Sequence, residues 1–418
     1  MLDGVAVISS NDTTDIKSSE GFIYDKENRL TSKEYAYDFS INNIVKDEIE
    51  YVKAVEDPYI DERVSNSKYY IAGTKIVTSS SKYDAYKRLK EKSYEFNKGT
   101  SVKTYEKIYN YDNNRINQER TNLSNITSNV IQYTYDNFDR ISNIQNVNKL
   151  SSYQYDDFGR LIRENNEALD KTIVYEYNDI GNITSKKTYD YTIATTPTTL
   201  LSTIPYEYDT TQKDRLISYN NTSIPYNVLG CPTKLNDYNL TWSKGKLVGL
   251  SKGTLQIGTE SYTYTYNAYG QRVSKVYNKM AGTSGIIQIQ PEEVVNRNTQ
   301  FNYDYSGRLI NEIIVNTCYN GSTINEKIEY IYDVNTIIGM KYTKGSNTNT
   351  YYFERNILGD VLGIYDLNGN LKVKYLYDAY GNCTVSNETI DQQLAKVNPI
   401  RYRGYYYDVE TGLFWISS

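Results

Sequence analysis

A short pattern recurs along this chain and constrains its fold more than any other feature: Tyr-x-Tyr, then Asp or Asn, then Gly three residues on. Its clearest copies are Tyr133-Thr-Tyr135-Asp136-Asn-Phe-Asp139-Arg140-Ile141 and Tyr153-Gln-Tyr155-Asp156-Asp-Phe-Gly159-Arg160-Leu161. Tyr175-Glu-Tyr177-Asn178-Asp-Ile-Gly181-Asn182-Ile183 follows about one period later, and the frame returns at Tyr264-Thr-Tyr266-Asn267-Ala-Tyr-Gly270 and Tyr375-Leu-Tyr377-Asp378-Ala-Tyr-Gly381. Weaker copies stand at Tyr24-Asp25, Tyr83-Asp84, Tyr109-Asn-Tyr111-Asp112, Tyr206-Glu-Tyr208-Asp209, Phe301-Asn-Tyr303-Asp304 and Tyr330-Ile-Tyr332-Asp333. Self-similarity at a fixed period marks a repeat architecture, in which each unit is one supersecondary element.

The unit reads as a hairpin. Two tyrosines spaced by two project from the same face of a strand. Asp or Asn opens a turn by accepting from the backbone amides that follow. Gly supplies the positive φ that closes a type I turn with a bulge, and Arg-Leu or Asn-Ile starts the return strand. A lone hairpin is marginal in water, so neighbours must stack. The expected fold is therefore all-β: a long, spiralling antiparallel strip of hairpins. Lys82-Tyr83-Asp84-Ala-Tyr-Lys87-Arg88-Leu89, which alone resembles a charged helix, reads as a hairpin in this register.

Composition agrees. The chain has 418 residues, with 47 Tyr against 8 Phe and 2 Trp. Tyr joins large apolar area to a polar tip and suits half-buried faces; Tyr, Thr, Ile and Val also favour strands. Mean hydropathy is −0.65. With 46 basic and 51 acidic residues interspersed, net charge is −5. No basic cluster offers a footprint for nucleic acid, and the charges read as a solvated mixed surface. No apolar run reaches the ~18 residues that cross a membrane. The start lacks the basic and apolar regions of a signal peptide, so the chain is expected to be part of a larger secreted or cell-wall-associated protein.

Catalytic chemistry finds little foothold. With no histidine, Ser–His and Cys–His pairs and imidazole metal ligands are excluded. Cys231, Cys318 and Cys383 are odd in number and far apart, which rules out a complete disulfide framework. Asp156-Asp157 and Glu292-Glu293 are adjacent carboxylates, but neighbours on a strand face opposite sides, whereas a glycosidase needs both acids flanking one site. Asp366-Leu367-Asn368-Gly369-Asn370 lacks the further spaced ligands of a calcium loop and reads as a turn. No enzyme, cofactor or metal site is expected. The tyrosine rows leave two readings open: packing between hairpins through cross-strand pairs, or stacking on sugar rings.

These repeats resemble the YD-repeat (Rhs) family, whose unit is Tyr-x-Tyr-Asp-x-x-Gly-Arg-Leu. Near the C-terminus, Tyr352 to Val361 with Gly359 and Asp360, and then Asn398-Pro399-Ile400-Arg401-Tyr402-Arg403-Gly404-Tyr405-Tyr406-Tyr407-Asp408 with Gly412-Leu413, resemble the family's repeat-associated core. The resemblance divides the chain into a hairpin array over 1–345 and an incomplete core over 346–418. It implies a hollow cocoon, as in bacterial wall-associated and Rhs toxins, toxin-complex C components and the teneurin barrel. It also implies a non-catalytic shell that encloses and delivers a C-terminal effector, its first partner; glycans or a surface receptor are the other partners it suggests. The alternative is a carbohydrate-binding or adhesion module. The family's core continues into an aspartyl autoprotease motif, whereas here the sequence reads Phe414-Trp415-Ile416-Ser417-Ser418, so no catalytic residue is carried over. An open cocoon with exposed strand edges is expected to be poorly soluble by itself.

Overall fold

The structure is a computed structural model describing residues 7–10, 16–37, 44–52, 62–98, 101–123, 126–283, 289–409 and 411–415. The described residues are almost entirely strand. From Val7–Ser10 to Thr222–Ser223, eighteen strands form one antiparallel sheet, and from Lys234–Leu235 to Cys383–Val385 thirteen form another. Strands consecutive in the chain are paired throughout each sheet. A bridge between Tyr226 and Pro232 spans the gap. One short helix, Gln392–Val397, precedes a last hairpin of Tyr406–Asp408 and Leu413–Trp415.

The segment with a helical look forms the hairpin of Thr74–Tyr83 and Leu89–Lys98. The ladder crosses residue 345 unbroken, because Thr336–Lys344 pairs directly with Asn347–Arg355. The register shifts just before the second tyrosine of the unit, between Thr134 and Tyr135, Gln154 and Tyr155, Glu176 and Tyr177, and Thr265 and Tyr266. One residue is extra on the return strand each time. Such bulges increase local twist and bend the sheet, and their repetition makes the strip curl.

The curl brings distant parts together in a definite order. Lys33 meets Asp304, Ser67 meets Asp333, Glu119 meets Ile357, Glu164 meets Ala379, and Lys186 meets Asp378. From Lys33 to Glu164 both partners advance along the chain together. A sheet folded back on itself would pair rising with falling numbers, so the strip is coiled, with a later lap against an earlier one. The separation shrinks from 271 residues at Lys33 to 192 at Lys186 and 133 where Lys275 meets Asp408. The spiral tightens inward. About 20 strands at ~4.8 Å spacing make the outer lap roughly 100 Å around, or about 30 Å across.

One apolar core joins the laps. Val45, Tyr69, Val77, Phe96 and Tyr105 of the outer lap pack with Tyr330, Met340, Phe353 and Ile364 of the inner. The solvated mixed-charge surface read from the sequence needs correction here. Lys33, Asp47, Lys92, Lys107, Glu119, Glu164, Lys275, Asp304, Glu312, Asp333, Asp378 and Asp408 are buried. Asp304, Asp333, Asp378 and Asp408 stand where turns open and the others on strands, and each finds a partner.

Candidate functional site at the seated turns and the inner end

The repeat turn is built the same way along the chain. In Asp136–Arg140, Asp136 Oδ1 accepts from the amides of Phe138 and Arg140, and Oδ2 accepts from Arg140 Nε at 2.7 Å. Asp156 repeats this with Phe158 and Arg160. Gly159, Gly181, Gly270 and Gly381 hold φ between 79° and 94°. Where the sequence departs from Gly, Lys87 and Asp139 take the same left-handed conformation at 65° and 63°.

The second tyrosine of each unit ties it to the unit before. Tyr135, Tyr155, Tyr177, Tyr266 and Tyr377 donate their hydroxyls to the carbonyls of Ile116, Ile141, Leu161, Leu247 and Val361, at 2.7–2.8 Å. The preceding unit's cation lies over the same ring: Arg115 over Tyr135, Arg140 over Tyr155, Arg160 over Tyr177, Lys246 over Tyr266. These tyrosines are packing elements. The first tyrosines are engaged as well. Tyr133 bonds the Glu119 carboxylate, Tyr175 packs edge-on against Tyr380 at 4.9 Å, Tyr264 lies under Arg272, and Tyr375 donates to the Ala395 carbonyl. Tyr153 is half-buried beside them.

Inner-lap turns sit on outer-lap strands through one recurring contact, a turn aspartate bonded by a buried or half-buried lysine. Lys33 reaches Asp304 at 3.0 Å, Lys92 reaches Asp333 at 2.8 Å, Lys186 reaches Asp378 at 2.6 Å, and Lys275 reaches Asp408 at 3.0 Å. Sequence reasoning missed these lysines, because a strand lysine normally signals a solvated face; the available clue was its place in the inward alternation. Glu164 and Asn166 add bonds to the Ala379 amide and the Tyr377 carbonyl. Burial pushes the Glu164 carboxyl up to about 7 despite those bonds.

The C-terminal signature forms the innermost turns. Asp360 accepts from the Arg403 amide at 2.9 Å, beside Gly359 at φ 91°. Arg401 is buried between the rings of Tyr375 and Tyr407 and donates to Ala395 O. Tyr402 lies against Gly381, where a Cβ would meet its ring at 2.5 Å, and donates to Ala379 O. Arg403 (φ 55°) and Gly404 (φ 74°) turn the chain beside Arg355. Asp408 then opens one more turn, closed by Gly412 and returned through Leu413. Its carboxylate takes Arg272 and Lys275, and Tyr406 donates to Glu312. Burial would raise the Asp408 carboxyl, but Lys275 and Arg272 outweigh it and hold it below the ordinary value. Trp415 packs on Phe301, Tyr303 and Arg272.

Two of the carboxylates that the sequence singled out are engaged. Asp366 is held by Asn368, Asn370 and Lys372, and Glu293 pairs with Lys279. Among the described residues no group of three or more Cys, Asp and Glu could hold a metal. Cys231, Cys318 and Cys383 are free thiols. Among the described residues no helix is long and apolar enough to cross a membrane.

The fold is shared with chains of solved toxin complexes. Over 99% of its length the chain superposes, at 14% identity and TM-score 0.72, on 22% of a chain in the crystal structure of TcdB2-TccC3-Cdc42. It likewise matches 21% of a chain in the Tc holotoxin pore of Photorhabdus luminescens, at 15% identity and TM-score 0.71. Its sequence is similar to two nucleases: it is 29% identical over 240 residues to the tRNA3(Ser)-specific nuclease WapA of Bacillus spizizenii and 28% identical to the tRNA nuclease WapA of Bacillus subtilis. Each match covers 51% of this chain and 9% of the relative, so the chain spans about a tenth of their length. No protein-family profile matches the chain.

Proposed function

We propose that this chain is a non-catalytic wall segment of a secreted or surface toxin shell, whose task is to enclose and deliver an effector carried after it. The observation behind this reading is the tightening spiral. Lap separation falls from 271 to 133 residues, so the wall winds inward and its last described turn lies at the inner end. Residues 346–418, the core-like part, act as the closing segment, because the Asp360–Arg403 contact falls within it and its Asp378 and Asp408 seat on Lys186 and Lys275 of earlier strip. The likeness to the tRNA nuclease WapA supports a toxin context in which the chemistry belongs to another segment. The adhesion reading needs open tyrosine faces, and the second tyrosines of the repeat are engaged by cations and carbonyls.

The test is protease protection in the parent polypeptide. The segment following residue 418 should resist digestion while the shell is folded and be cut once the shell is denatured. Equal digestion in both states removes the enclosing role. Nuclease or hydrolase activity in the isolated chain removes the non-catalytic one.

A further inference from the structure

Of the four lysine–aspartate seats, two also bring a guanidinium to the aspartate: Arg308 at Asp304 and Arg272 at Asp408. A carboxylate held that way stays ionised and is a poor electrophile. Asp378 differs. Four residues after it stands Asn382, where Asp84, Asp136, Asp156 and Asp304 have an arginine. Among the described residues the cation bonded to Asp378 is Lys186, at 2.6 Å from Oδ2, and the two side chains are 4% and 12% exposed. The other oxygen, Oδ1, accepts from the amides of Tyr380 and Asn382 at 3.0 and 2.9 Å. A second acid reaches the same turn. Glu164 pairs with Ile173, and Tyr175 pairs with Lys186, so alternation puts all four on one face of three neighbouring strands. From that face Lys186 meets Asp378, and Glu164 accepts from the next amide, that of Ala379, at 2.8 Å. Glu164 is buried, and its carboxyl, titrating near 7, holds or releases a proton at neutral pH. The groups facing it are Asp378, Lys186 and the phenols of Tyr153 and Tyr175.

We infer that this seat is a self-modification site, at which Lys186 and Asp378 condense to an isopeptide amide that staples one lap to the next. Lys186 Nζ first passes a proton to the Asp378 carboxylate, a transfer that burial favours because it removes both charges. The amine then attacks Cγ. Negative charge developing on Oδ1 falls on the two turn amides, which already point at it. The N–Cγ bond forms, the Cγ–Oδ2 bond breaks, and Oδ2 leaves as water. Glu164 gives one proton to that leaving oxygen and takes one from the nitrogen, ending as it began. No oxidant or cofactor enters. A cavity of about 350 Å³ bordered by Asp378, Ala379 and Asn166 receives the water. The fold has already met the entropic part of the barrier by holding amine and carboxyl in contact. Lys92–Asp333 is the internal comparison. Its other partners are the hydroxyls of Ser67, Ser79 and Tyr94, too weakly acidic to relay a proton, so that pair should stay ionic. The reaction runs once per chain and is independent of whether the shell encloses an effector.

Intact-mass spectrometry of the folded 418-residue chain tests it. The mass should fall short of the sequence mass by one water, and digestion should yield a branched peptide joining Lys186 to Asp378. Lys186→Arg keeps the charge but cannot form this amide. It should restore the full mass while the strand signal in circular dichroism holds. Glu164→Gln keeps an acceptor for the Ala379 amide but cannot exchange a proton, and should slow the loss of water many-fold. In the wild type the rate after refolding should fall as pH rises past about 7. That profile should vanish in Glu164→Gln, which a purely structural role would not bring about. A folded wild-type chain still at full mass after long incubation on the acid side of that midpoint overturns the inference. So does an equal loss of water from Lys186→Arg, the mark of an aspartyl succinimide, or a branch that joins Lys92 to Asp333 in place of Lys186 to Asp378.

Discussion

Lys87 and Asp139 hold a glycine's conformation without being glycine, and that choice has a cost in backbone strain. Lys87→Gly should raise stability by up to about 1 kcal/mol, the relief of strain exceeding the added freedom of the unfolded chain. Thermal denaturation checks this, and a lower midpoint would refute it. Glu164 tests linkage. Its folded carboxyl titrates near 7 and its unfolded one near the ordinary ~4.3, so between these values the folded state holds a proton that the unfolded state has lost. Stability should therefore fall as pH rises from about 4.5 to 7. The groups around it are Asp378, which adds to the rise, and Lys186, which opposes it. Glu164→Gln should flatten that slope in denaturant titrations at several pH values. At this scale the sequence was readable where chemistry is local: an Asp and a Gly three apart define a turn by themselves. It was unreadable where a residue's meaning depends on another some 200 positions away, as with Lys186 and Asp378.

Hairpins are legible because both strands and their turn lie within some twenty residues, and the strand period and turn residues agree. Seating is a property of the element pair. Gly181 and Gly381 have the same φ sign and the same place in the unit, yet a side chain at 181 meets open space and one at 381 meets the Tyr402 ring. Gly181→Ala should cost about 1 kcal/mol from backbone conformation alone. Gly381→Ala should cost clearly more and loosen residues 398–404, seen as faster amide exchange there; equal costs would deny the contact. The last hairpin is held by a buried carboxylate between two cations. Asp408→Asn leaves Arg272 and Lys275 undercompensated, a loss of about 3–5 kcal/mol. Trp415 should then leave its aromatic site, with red-shifted emission. An unshifted spectrum would show that the ion pairs do not hold the hairpin.

Across the whole molecule, what the sequence conveyed was the continuous strip; what it withheld was the number of residues per lap. Lap length follows from the twist summed over many bulges, and no short window contains that sum. The contacts between laps are buried, so salt should screen them weakly. Raising salt to about 1 M, where the Debye length is about 3 Å, should move the melting temperature little. A large drop would mean that the laps are held by exposed charge. The tightening separation has a further consequence for how such a wall is made. Every lysine that receives a turn is synthesised long before that turn, so a chain emerging N-terminus first meets a finished seat each time it needs one. Refolding from denaturant lacks this order and must find partners 133 to 271 residues apart by search, a slow route for a strand-rich chain. The ribosome's direction of travel is thus the direction in which this coil can be wound without tangling.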